Sequence, residues 1–517
     1  MEQKSRNQTV FGHKTALPCS GVLLSAVLLF RAAAFGCACS GSSLGLFEGS
    51  RDVGETAIAG RTEYDPSGGL YRLTGSGENI WYHSDAFHFA WKEIVGDVEL
   101  TAQVEWAAGA HPHRKAGWMI RQGMAPDAAY VDAVVHGSGA AALQFRRMQD
   151  GPTMEVPCGL PNPPYIRLVR QGRLFTMSVS EDGRTFEPVG TVVVPMSEPV
   201  YAGLIVCSHD NAQTAQAVFK HVSIRTRGLI EEKNRMLESS LEIFNIQTGR
   251  RRVVFSTTEM HMEAPNWSPD GKTLLFNSGG RLYTIPVEGG TPKRLNTGFA
   301  DQCNNDHGFS PDGQWIFLSH DDKGVSKIYR VPSKGGRPRL ITPQGPSYWH
   351  GVSPDGKTVV YCAQRSGQYD IYAIDLKGGP ERQLTNTPAH DDGPDYSPDG
   401  RFIYFNSDRE GPMFLWRMNA DGTNPVLMTF DDQYNDWFPH PSPDGKWIVF
   451  LSYHKSVKGH PAQQEVALRL LPTDHEEEPR TLTRLFGGQG TLNVPSWSPD
   501  SREFAFVSYR LTEQENH

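Results

Sequence analysis

Histidine, acid and amide side chains recur at one position of a repeated segment, and they are the residues of this chain best suited to chemistry. A Ser-Pro-Asp-Gly turn recurs six times, and five of the six segments before it carry a histidine within seven residues. With 18 histidines in 517 residues, most windows of that length would hold none. The segments contain His261, Glu263 and Asn266; Asn304, Asn305, Asp306 and His307; Tyr348, Trp349 and His350; His390, Asp391, Asp392 and Asp395; Asn435, Asp436, Trp437 and His440; and Gln489 and Asn493.

The repeated turn indicates the architecture that positions these side chains. Its copies begin at Ser268, Ser310, Ser353, Ser397, Ser442 and Ser498, with spacings of 42, 43, 44, 45 and 56 residues. A period of roughly 40–45 residues is typical of a four-stranded propeller blade. Proline presets the turn, aspartate bonds its own backbone and glycine accepts a positive φ, so the motif itself is hairpin chemistry.

The order of the hairpins predicts how the ring closes. The first outer hairpin, residues 241–256, precedes every inner hairpin, and the last inner hairpin, residues 494–508, has only nine residues after it. We therefore expect the sixth blade to combine strands from both ends of residues 241–510. Such closure leaves no free sheet edge.

The turn repeat resembles that of a known family. Trp267-Ser268-Pro269-Asp270-Gly271, its copies and the Gly-Gly-x-Pro spacers at residues 289–292 and 335–338 are similar to the periplasmic TolB-type six-bladed propeller with WD40-like (PD40) repeats. TolB works with Pal and the Tol envelope system, so the resemblance implies an envelope protein as one kind of partner. TolB carries a small α/β domain before its propeller, and this chain has a different segment there.

Residues 55–226 predict an antiparallel β-sandwich, because alternating strands are separated by turns such as Glu181-Asp182-Gly183. The sequence segments at residues 96–98, 116–121 and 200–209 resemble those of the concanavalin A-like jelly roll of secreted bacterial proteins. Sandwich glycosidases of that fold use a Glu-x-Asp-x-x-Glu cluster, whereas Glu99 and Glu105 stand six apart without an aspartate between them. We interpret this domain as a binding or packing module. The fold class is thus all-β, with residues 227–240 as a linker or short helix.

The N-terminus has the proportions of an export signal. Lys4, Arg6 and Lys14 precede a ten-residue apolar run at residues 21–30, and small residues follow it. The run is too short to span a bilayer, so we expect no transmembrane segment and a signal peptide over residues 1–36. Cleavage there would leave Cys37 first, where a lipid anchor could be attached. The predicted location is periplasmic or secreted.

Composition excludes one class of partner. The net charge is −8 and the isoelectric point is near 6.1, and no basic stripe stands out, which argues against nucleic acid. The remaining cysteines are scattered without paired spacing, and buried thiols are the simplest interpretation of them.

Three interpretations of the residues before the turns stay open. In the first, they cap strand ends and bond loop backbones. In the second, they line a ligand funnel at the mouth of the channel, where Trp349, Trp437 and Tyr348 stack on a sugar and the acids and amides bond its hydroxyls. In the third, imidazoles and carboxylates hold a divalent metal ion that activates water or acidifies a proton. Oligogalacturonate lyases, which are similar in fold, hold a metal at the propeller mouth.

The sequence therefore predicts an exported propeller protein that binds a glycan or a protein partner at the funnel. The alternative is a metal-dependent carbohydrate-active lyase or hydrolase with its site there. The candidate ligand-binding residues are Glu263, Asn305, Trp349, Asp391, Asp392, Asp395, Asp436, Trp437 and Asn493. The candidate metal ligands are His307, His350, His390 and His440.

Overall fold

A computed structural model describes residues 44–227, 235–474 and 477–513. The expected signal peptide and Cys37 lie outside the described residues. All of the described residues belong to one compact unit. In the described part of the chain, no helix is long and apolar enough to cross a membrane.

The N-terminal half of this unit consists of sixteen strands. They are β1 (Gly49–Val53), β2 (Arg61–Asp65), β3 (Leu70–Gly75), β4 (Ile80–Trp81), β5 (Ser84–Asp85), β6 (Phe87–Ile94), β7 (Asp97–Ala108), β8 (Lys115–Arg121), β9 (Tyr130–His136), β10 (Ala141–Arg146), β11 (Thr153–Pro157), β12 (Tyr165–Gln171), β13 (Leu174–Ser180), β14 (Glu187–Val193), β15 (Val200–Cys207) and β16 (Ala215–Arg227).

These strands form two seven-stranded antiparallel sheets with the orders β1-β6-β15-β8-β9-β10-β11 and β14-β13-β12-β7-β16-β3-β2. The sheets share one apolar core, in which Trp118 of β8 and Leu168 of β12 are fully buried. Strand β12 alternates buried and half-buried residues, as expected for a strand with one face on the core. The predicted antiparallel strands are therefore present, and the concanavalin A-like relationship stays a prediction.

The second half begins with β17 (Arg235–Asn245) and β18 (Arg251–Thr257), and five further groups of four strands follow. They are β19 (Met262–Trp267), β20 (Thr273–Ser278), β21 (Arg281–Pro286) and β22 (Lys293–Arg294); β23 (Cys303–Phe309), β24 (Trp315–Asp321), β25 (Ser326–Pro332) and β26 (Arg339–Leu340); β27 (Ser347–Val352), β28 (Thr358–Gln364), β29 (Tyr369–Asp375) and β30 (Arg382–Gln383); β31 (Asp391–Tyr396), β32 (Phe402–Ser407), β33 (Phe414–Asn419) and β34 (Val426–Leu427); and β35 (Tyr434–Pro441), β36 (Trp447–His454), β37 (Gln464–Pro472) and β38 (Arg480–Gly487). A 3-10 helix (Gln489–Thr491) precedes the last strand, β39 (Glu503–Glu513).

Each group of four is one antiparallel sheet, and we number these sheets blades one to five in chain order. The strand before the turn is innermost, and each of β19, β23, β27, β31 and β35 contacts the inner strand of a neighbouring blade. The predicted turn chemistry is present in all six copies: the Ser hydroxyl donates to the Asp carboxylate over 2.5–2.7 Å. In the last copy Ser501 takes the place of glycine and adopts a φ of 62°.

The sixth blade joins both ends of the propeller, as the sequence predicts. Strand β17 pairs with β18 on one side and with β39 on the other, and a bridge from Trp497 to Phe504 adds the innermost position. The rings of Phe244 and Phe504 stack across this seam with centroids 5.4 Å apart. The expected helix or linker over residues 227–240 is wrong for residues 235–240, which belong to β17, because pairing with β39 extends that strand.

The sandwich docks on the outer strands of blades five and six, where β14 contacts β38 and β18. Glu465 is central to this contact. Its carboxylate accepts hydrogen bonds from the Arg147 guanidinium, the Val193 amide (2.6 Å) and Arg484 (3.3 Å). The outermost strand of blade five, β38, has eight residues, whereas the outermost strands of blades one to four have two. This length accounts for part of the 56-residue spacing in the sequence.

Candidate functional site

The inner strands place an acid–histidine cluster at the end of the channel where these strands begin. We define the cluster as Asp306, His350, His390, Asp392 and His460, which come from blades two to five. Each of the five inner strands carries a register shift just after its first residues. A bulge of this kind changes the direction of the side chains that follow it, so the residues before and after it face different surroundings.

Asp392 is the centre of the cluster. Its Oδ1 lies 3.2 Å from Nε2 of His350, and its Oδ2 lies 3.8 Å from Nε2 of His390. Burial would raise the pKa of Asp392, but the hydrogen bond and charge of His350 outweigh burial and hold that pKa well below its usual range. Burial likewise opposes the charge of His350, yet Asp392 raises the pKa of that imidazole. The two side chains therefore form a buried ion pair.

Asp306 is held by amides from two blades. Its Oδ2 accepts a hydrogen bond from Asn304 Nδ2 and its Oδ1 accepts one from Asn493 Nδ2, both over 2.6 Å. Asn493 also donates to the carbonyl of Asn305 (3.3 Å). Burial raises the pKa of Asp306 to about 6, against the opposing charge of His350. The cluster thus contains one firmly ionised carboxylate and one that titrates near neutrality.

The long fifth spacing supplies a residue that the sequence reasoning missed. The loop between β36 and β37 carries His460, whose ring packs edge-on against Trp437 with centroids 4.5 Å apart and against Phe438 at 5.4 Å. Tyr453 donates to the carbonyl of Pro461 over 3.0 Å and so anchors this loop. The charge of Asp392 acts on His460. The 56-residue spacing is the signal that could have indicated this insertion.

An aromatic row borders the cluster. The ring of Tyr369 stacks on His390 with centroids 5.3 Å apart and meets Tyr348 at 6.2 Å. All three side chains are partly exposed. Glu263 of blade one lies beside Gly490, where an added Cβ would come within 2.7 Å of its Cγ. The mouth therefore offers carboxylates and aromatic edges together.

The structure brings some of the predicted site residues together. His350, His390 and Asp392 belong to the cluster, and Asn305, Asn493 and Glu263 lie around it.

Other predicted site residues serve the blades instead. Trp349 stacks on Phe317 and is 1% exposed, and Trp437 is 3% exposed, so the prediction that these indoles stack on a sugar is wrong. His307 is fully buried beside the backbone of Ala264 and Leu275, and burial lowers its pKa to about 4.

Two predicted carboxylates are likewise structural partners of arginines. Asp391 accepts a hydrogen bond from Arg409 (2.9 Å), and Asp436 accepts one from Ser452 (2.6 Å) with Arg469 nearby. Both aspartates are fully buried. Pairing of this kind satisfies charges that would otherwise be costly to bury.

His440 and Asp395 form a second pair deeper in the channel. Nδ1 of His440 lies 3.2 Å from Oδ2 of Asp395, and both residues are buried. Burial lowers the pKa of His440 and raises that of Asp395, with the partner opposing the shift in each case. They follow the bulge in their strands and pair with each other, and the charge of Asp395 also acts on His350 of the cluster.

The opposite end of the channel has a different character. A pocket of about 390 Å³ there is lined by the six prolines of the turns and by aromatic side chains. These residues are Pro269, Pro311, Pro354, Pro398, Pro443 and Pro499 with Trp267, Phe309, Trp349, Tyr396 and Trp497. The channel is therefore polar and acidic at one mouth and mainly apolar at the other.

Within the described ranges, no three His, Cys, Asp or Glu side chains direct their donor atoms to one position in the conformations seen. In the acid–histidine cluster, His350 already uses Nε2 to bond Asp392, and its protonated state competes with metal ligation. What the mouth offers in this arrangement is charge pairing and hydrogen bonding.

Six blades closed by strands from both ends define this chain as a β-propeller with a sandwich docked on its outer strands. The TolB beta propeller domain family matches residues 233–364 and 350–482. An uncharacterized protein of Agrobacterium fabrum (strain C58) is 53% identical over 275 residues, which are 53% of this chain and 93% of that protein. The chain belongs to the TolB-type β-propeller family.

Two solved structures are similar to parts of this chain. The structure of a putative TolB from Agrobacterium tumefaciens is 52% identical, with a TM-score of 0.52, and covers 53% of this chain and 99% of that one. An oligogalacturonate lyase in complex with manganese is 18% identical, with a TM-score of 0.34 over 48% of this chain and 74% of the lyase. That likeness is too remote to carry an inference about chemistry.

Proposed function

We propose that this chain is an exported binding protein whose funnel takes a segment of an extracytoplasmic protein partner. The observation that carries the proposal is the ionised carboxylate of Asp392, held by His350 at the mouth of the channel. Its side chain keeps 11% of its surface exposed, so a ligand can reach it. A fixed, partly desolvated charge of this kind selects a complementary charge.

The chemistry around Asp392 favours a basic group on the ligand. Glu263 and Asp306 add carboxylates. Asp392 raises the pKa of His350, and burial lowers the pKa of His460. The aromatic row of Tyr348, Tyr369 and His390 stands beside them. Carboxylates next to aromatic faces suit a lysine, an arginine or a free amino group.

A sugar fits the mouth less well. The two indoles expected to stack on it are buried, and the remaining aromatic row belongs to the rim of blades three and four alone. Glycan sites usually need an open aromatic face together with hydrogen-bonding groups. We therefore place a protein segment ahead of a glycan, and let the experiment decide between them.

The export part of the proposal rests on the N-terminal sequence. The charged start, the short apolar run and the small residues after it support cleavage near residue 36 and a periplasmic or secreted location, with Cys37 as a site for lipid attachment. Mass spectrometry of the protein recovered from its native host tests this. A chain that keeps Met1 in the cytoplasm would overturn the export proposal.

The binding proposal is tested with two ligand libraries on the full chain. A displayed library of linear peptides and a glycan array are each screened against wild type, Asp392→Asn and Asp421→Asn, the last being an exposed acid in an outer turn. We expect basic peptides that bind wild type and Asp421→Asn alike and bind Asp392→Asn at least tenfold more weakly. If every ligand that depends on Asp392 is a glycan, a glycan takes the place of the protein partner in this proposal. If no ligand depends on Asp392, binding at the funnel is refuted.

A further inference from the structure

Four histidines converge at one end of the sandwich, away from the propeller funnel. His111 and His113 lie in the connection between β7 and β8, His136 ends β9, and His209 follows β15. None of the four pairs with a carboxylate among the described residues, in contrast to His350 and His390 of the funnel. Such a concentration of imidazoles without acids is the donor set that borderline divalent metals prefer.

The centroids of three of these rings lie about as far apart as imidazoles around one metal ion do. The centroids of His111 and His209 lie 4.4 Å apart, those of His111 and His113 lie 5.7 Å apart, and those of His113 and His209 lie 5.5 Å apart. With Zn–N bonds of about 2.0–2.1 Å and tetrahedral angles, imidazole centroids around one ion stand about 5 Å apart. The fourth ring, His136, lies 6.4 Å from His113.

The loops that carry the three histidines are fixed by their own hydrogen bonds. The backbone amide of His113 donates to Nδ1 of His111 over 3.1 Å, which leaves Nε2 of His111 free for a ligand. Arg114 donates to the carbonyl of His111 over 2.8 Å. His209 itself adopts a left-handed φ of 60°, a conformation that costs a non-glycine residue energy and that functional sites often retain.

One donor atom of the group lacks a partner within the described part of the protein. Nδ1 of His209 is buried without a hydrogen-bond partner.

We propose that His111, His113 and His209 bind one divalent transition-metal ion such as zinc, with His136 as a neighbouring imidazole beyond them. In the described part of the chain no three such side chains already direct their donor atoms to one position. The exposed ring of His113 turns about its side-chain bonds to do so, while His111 keeps the hydrogen bond at its Nδ1. The ion would tie the β7–β8 connection to the segment after β15, independently of what the funnel binds.

The test is metal titration of the untagged full chain, because a polyhistidine tag would itself bind the ion. Calorimetry with zinc and visible absorption with cobalt(II) are expected to show one ion per chain. The variant His111→Gln/His209→Asn should bind at least tenfold more weakly, and asparagine is chosen because it tolerates the left-handed φ at residue 209. Its metal-free melting temperature should stay within a few degrees of wild type, which shows that it folds.

Two matched variants assign the ion to this cluster. His390→Gln/His460→Gln removes the accessible histidines of the funnel, and His221→Asn removes an exposed histidine elsewhere on the sandwich. Both should keep the wild-type affinity and stoichiometry. The proposal is overturned if wild type binds neither ion, if binding survives in His111→Gln/His209→Asn, or if it disappears with the funnel histidines.

Discussion

His350 and Asp392 form an ion pair between the inner strands of blades three and four, with Nε2 and Oδ1 3.2 Å apart. His350 is 2% exposed and stacks on Phe438 of blade five with centroids 5.9 Å apart. The pair thus connects three consecutive blades at the mouth of the channel. Its charges set both the stability of this region and what the funnel can bind.

The first prediction concerns the pH dependence of this pair. The raised pKa of His350 stabilises the fold fully below pH 6.5, and this contribution is lost as pH rises through the folded pKa. The lowered pKa of Asp392 stabilises the fold fully above pH 3.8, and this contribution is lost only as pH falls through the folded pKa, which lies lower. His350→Gln should therefore lower the free energy of unfolding by about 3–5 kcal/mol at pH 6, because it leaves a buried charge unpaired. At pH 9 the difference should shrink.

Urea unfolding of wild type and His350→Gln at both pH values measures this effect. The control is His454→Gln, at an exposed histidine of the same propeller. It should leave the free energy of unfolding nearly unchanged at both pH values. A deficit that is equal at pH 6 and pH 9 would mean that His350 acts through packing and not through its charge.

The second prediction concerns Asp306. Its carboxyl should titrate with a midpoint near 6, since burial disfavours the charged form. Because the folded pKa lies above the unfolded value, this group costs stability progressively as pH rises from about 4 to 6, by about 3 kcal/mol in full. Asn493→Ala should move the midpoint higher, because the amide of Asn493 bonds the charged form.

Carbon-13 NMR of the carboxyl groups, assigned with Asp306→Asn, follows this titration directly. In the same spectra Asp421 should titrate below its ordinary value, since the hydroxyl of Thr423 lowers its pKa. A midpoint for Asp306 near 4 would show that water reaches the carboxylate.

The third prediction concerns closure of the ring. Phe504 is fully buried and stacks on Phe244 across the seam of blade six. Phe504→Ala should lower the free energy of unfolding by about 3–5 kcal/mol, and the propeller should still unfold in one transition. Removing residues 494–517 should unfold the whole propeller.

Circular dichroism during thermal and urea unfolding measures both changes. Phe430→Ala removes a phenyl ring that is 63% exposed and should change stability by no more than about 0.5 kcal/mol. A truncated chain that keeps the full melting transition would contradict closure by strands from both ends.

The fourth prediction concerns the contact between sandwich and propeller. Glu465→Gln should lower the stability of the docked state by about 3 kcal/mol, because Arg484, largely buried, loses its carboxylate partner. Calorimetry should then resolve separate transitions for the sandwich and the propeller at a wider spacing than in wild type. The control Glu410→Gln, at an exposed acid of blade four, should leave the calorimetric profile unchanged. If Glu465→Gln also leaves the profile unchanged, the domains dock by other contacts.

The propeller could be predicted from the sequence because its defining signal is local. The serine and aspartate of each turn bond each other two residues apart, so the motif marks every blade regardless of its neighbours. The start of β17 could not be predicted in this way, since residues 235–240 become strand through pairing with β39 at the other end of the domain. The docking at Glu465 likewise depends on Arg147, which lies 318 residues away in sequence.

The site was predictable only in part because of the bulges in the inner strands. In a regular strand, side chains alternate between the two faces, so their direction can be predicted from sequence. A bulge adds an extra residue and breaks this alternation, as between Asp392 and Asp395. The sequence alone therefore does not show which side chains before a turn reach the mouth. Spacing therefore grouped His307 and His440 with His350, although His307 lies against the backbone of blade one and His440 pairs with Asp395. His460 lies outside the repeated segments altogether and is brought to the cluster by a loop.

The seam of blade six also determines the order in which the two domains can fold during synthesis. The side chains of Asn245 and Glu503 meet across that seam although 258 residues separate them, whereas every strand of the sandwich ends by Arg227. During synthesis from the N-terminus, the sandwich can complete its own core while the ring is still open. Blades one to five then form from neighbouring residues, and the last strand to emerge converts an open row of blades into a closed ring.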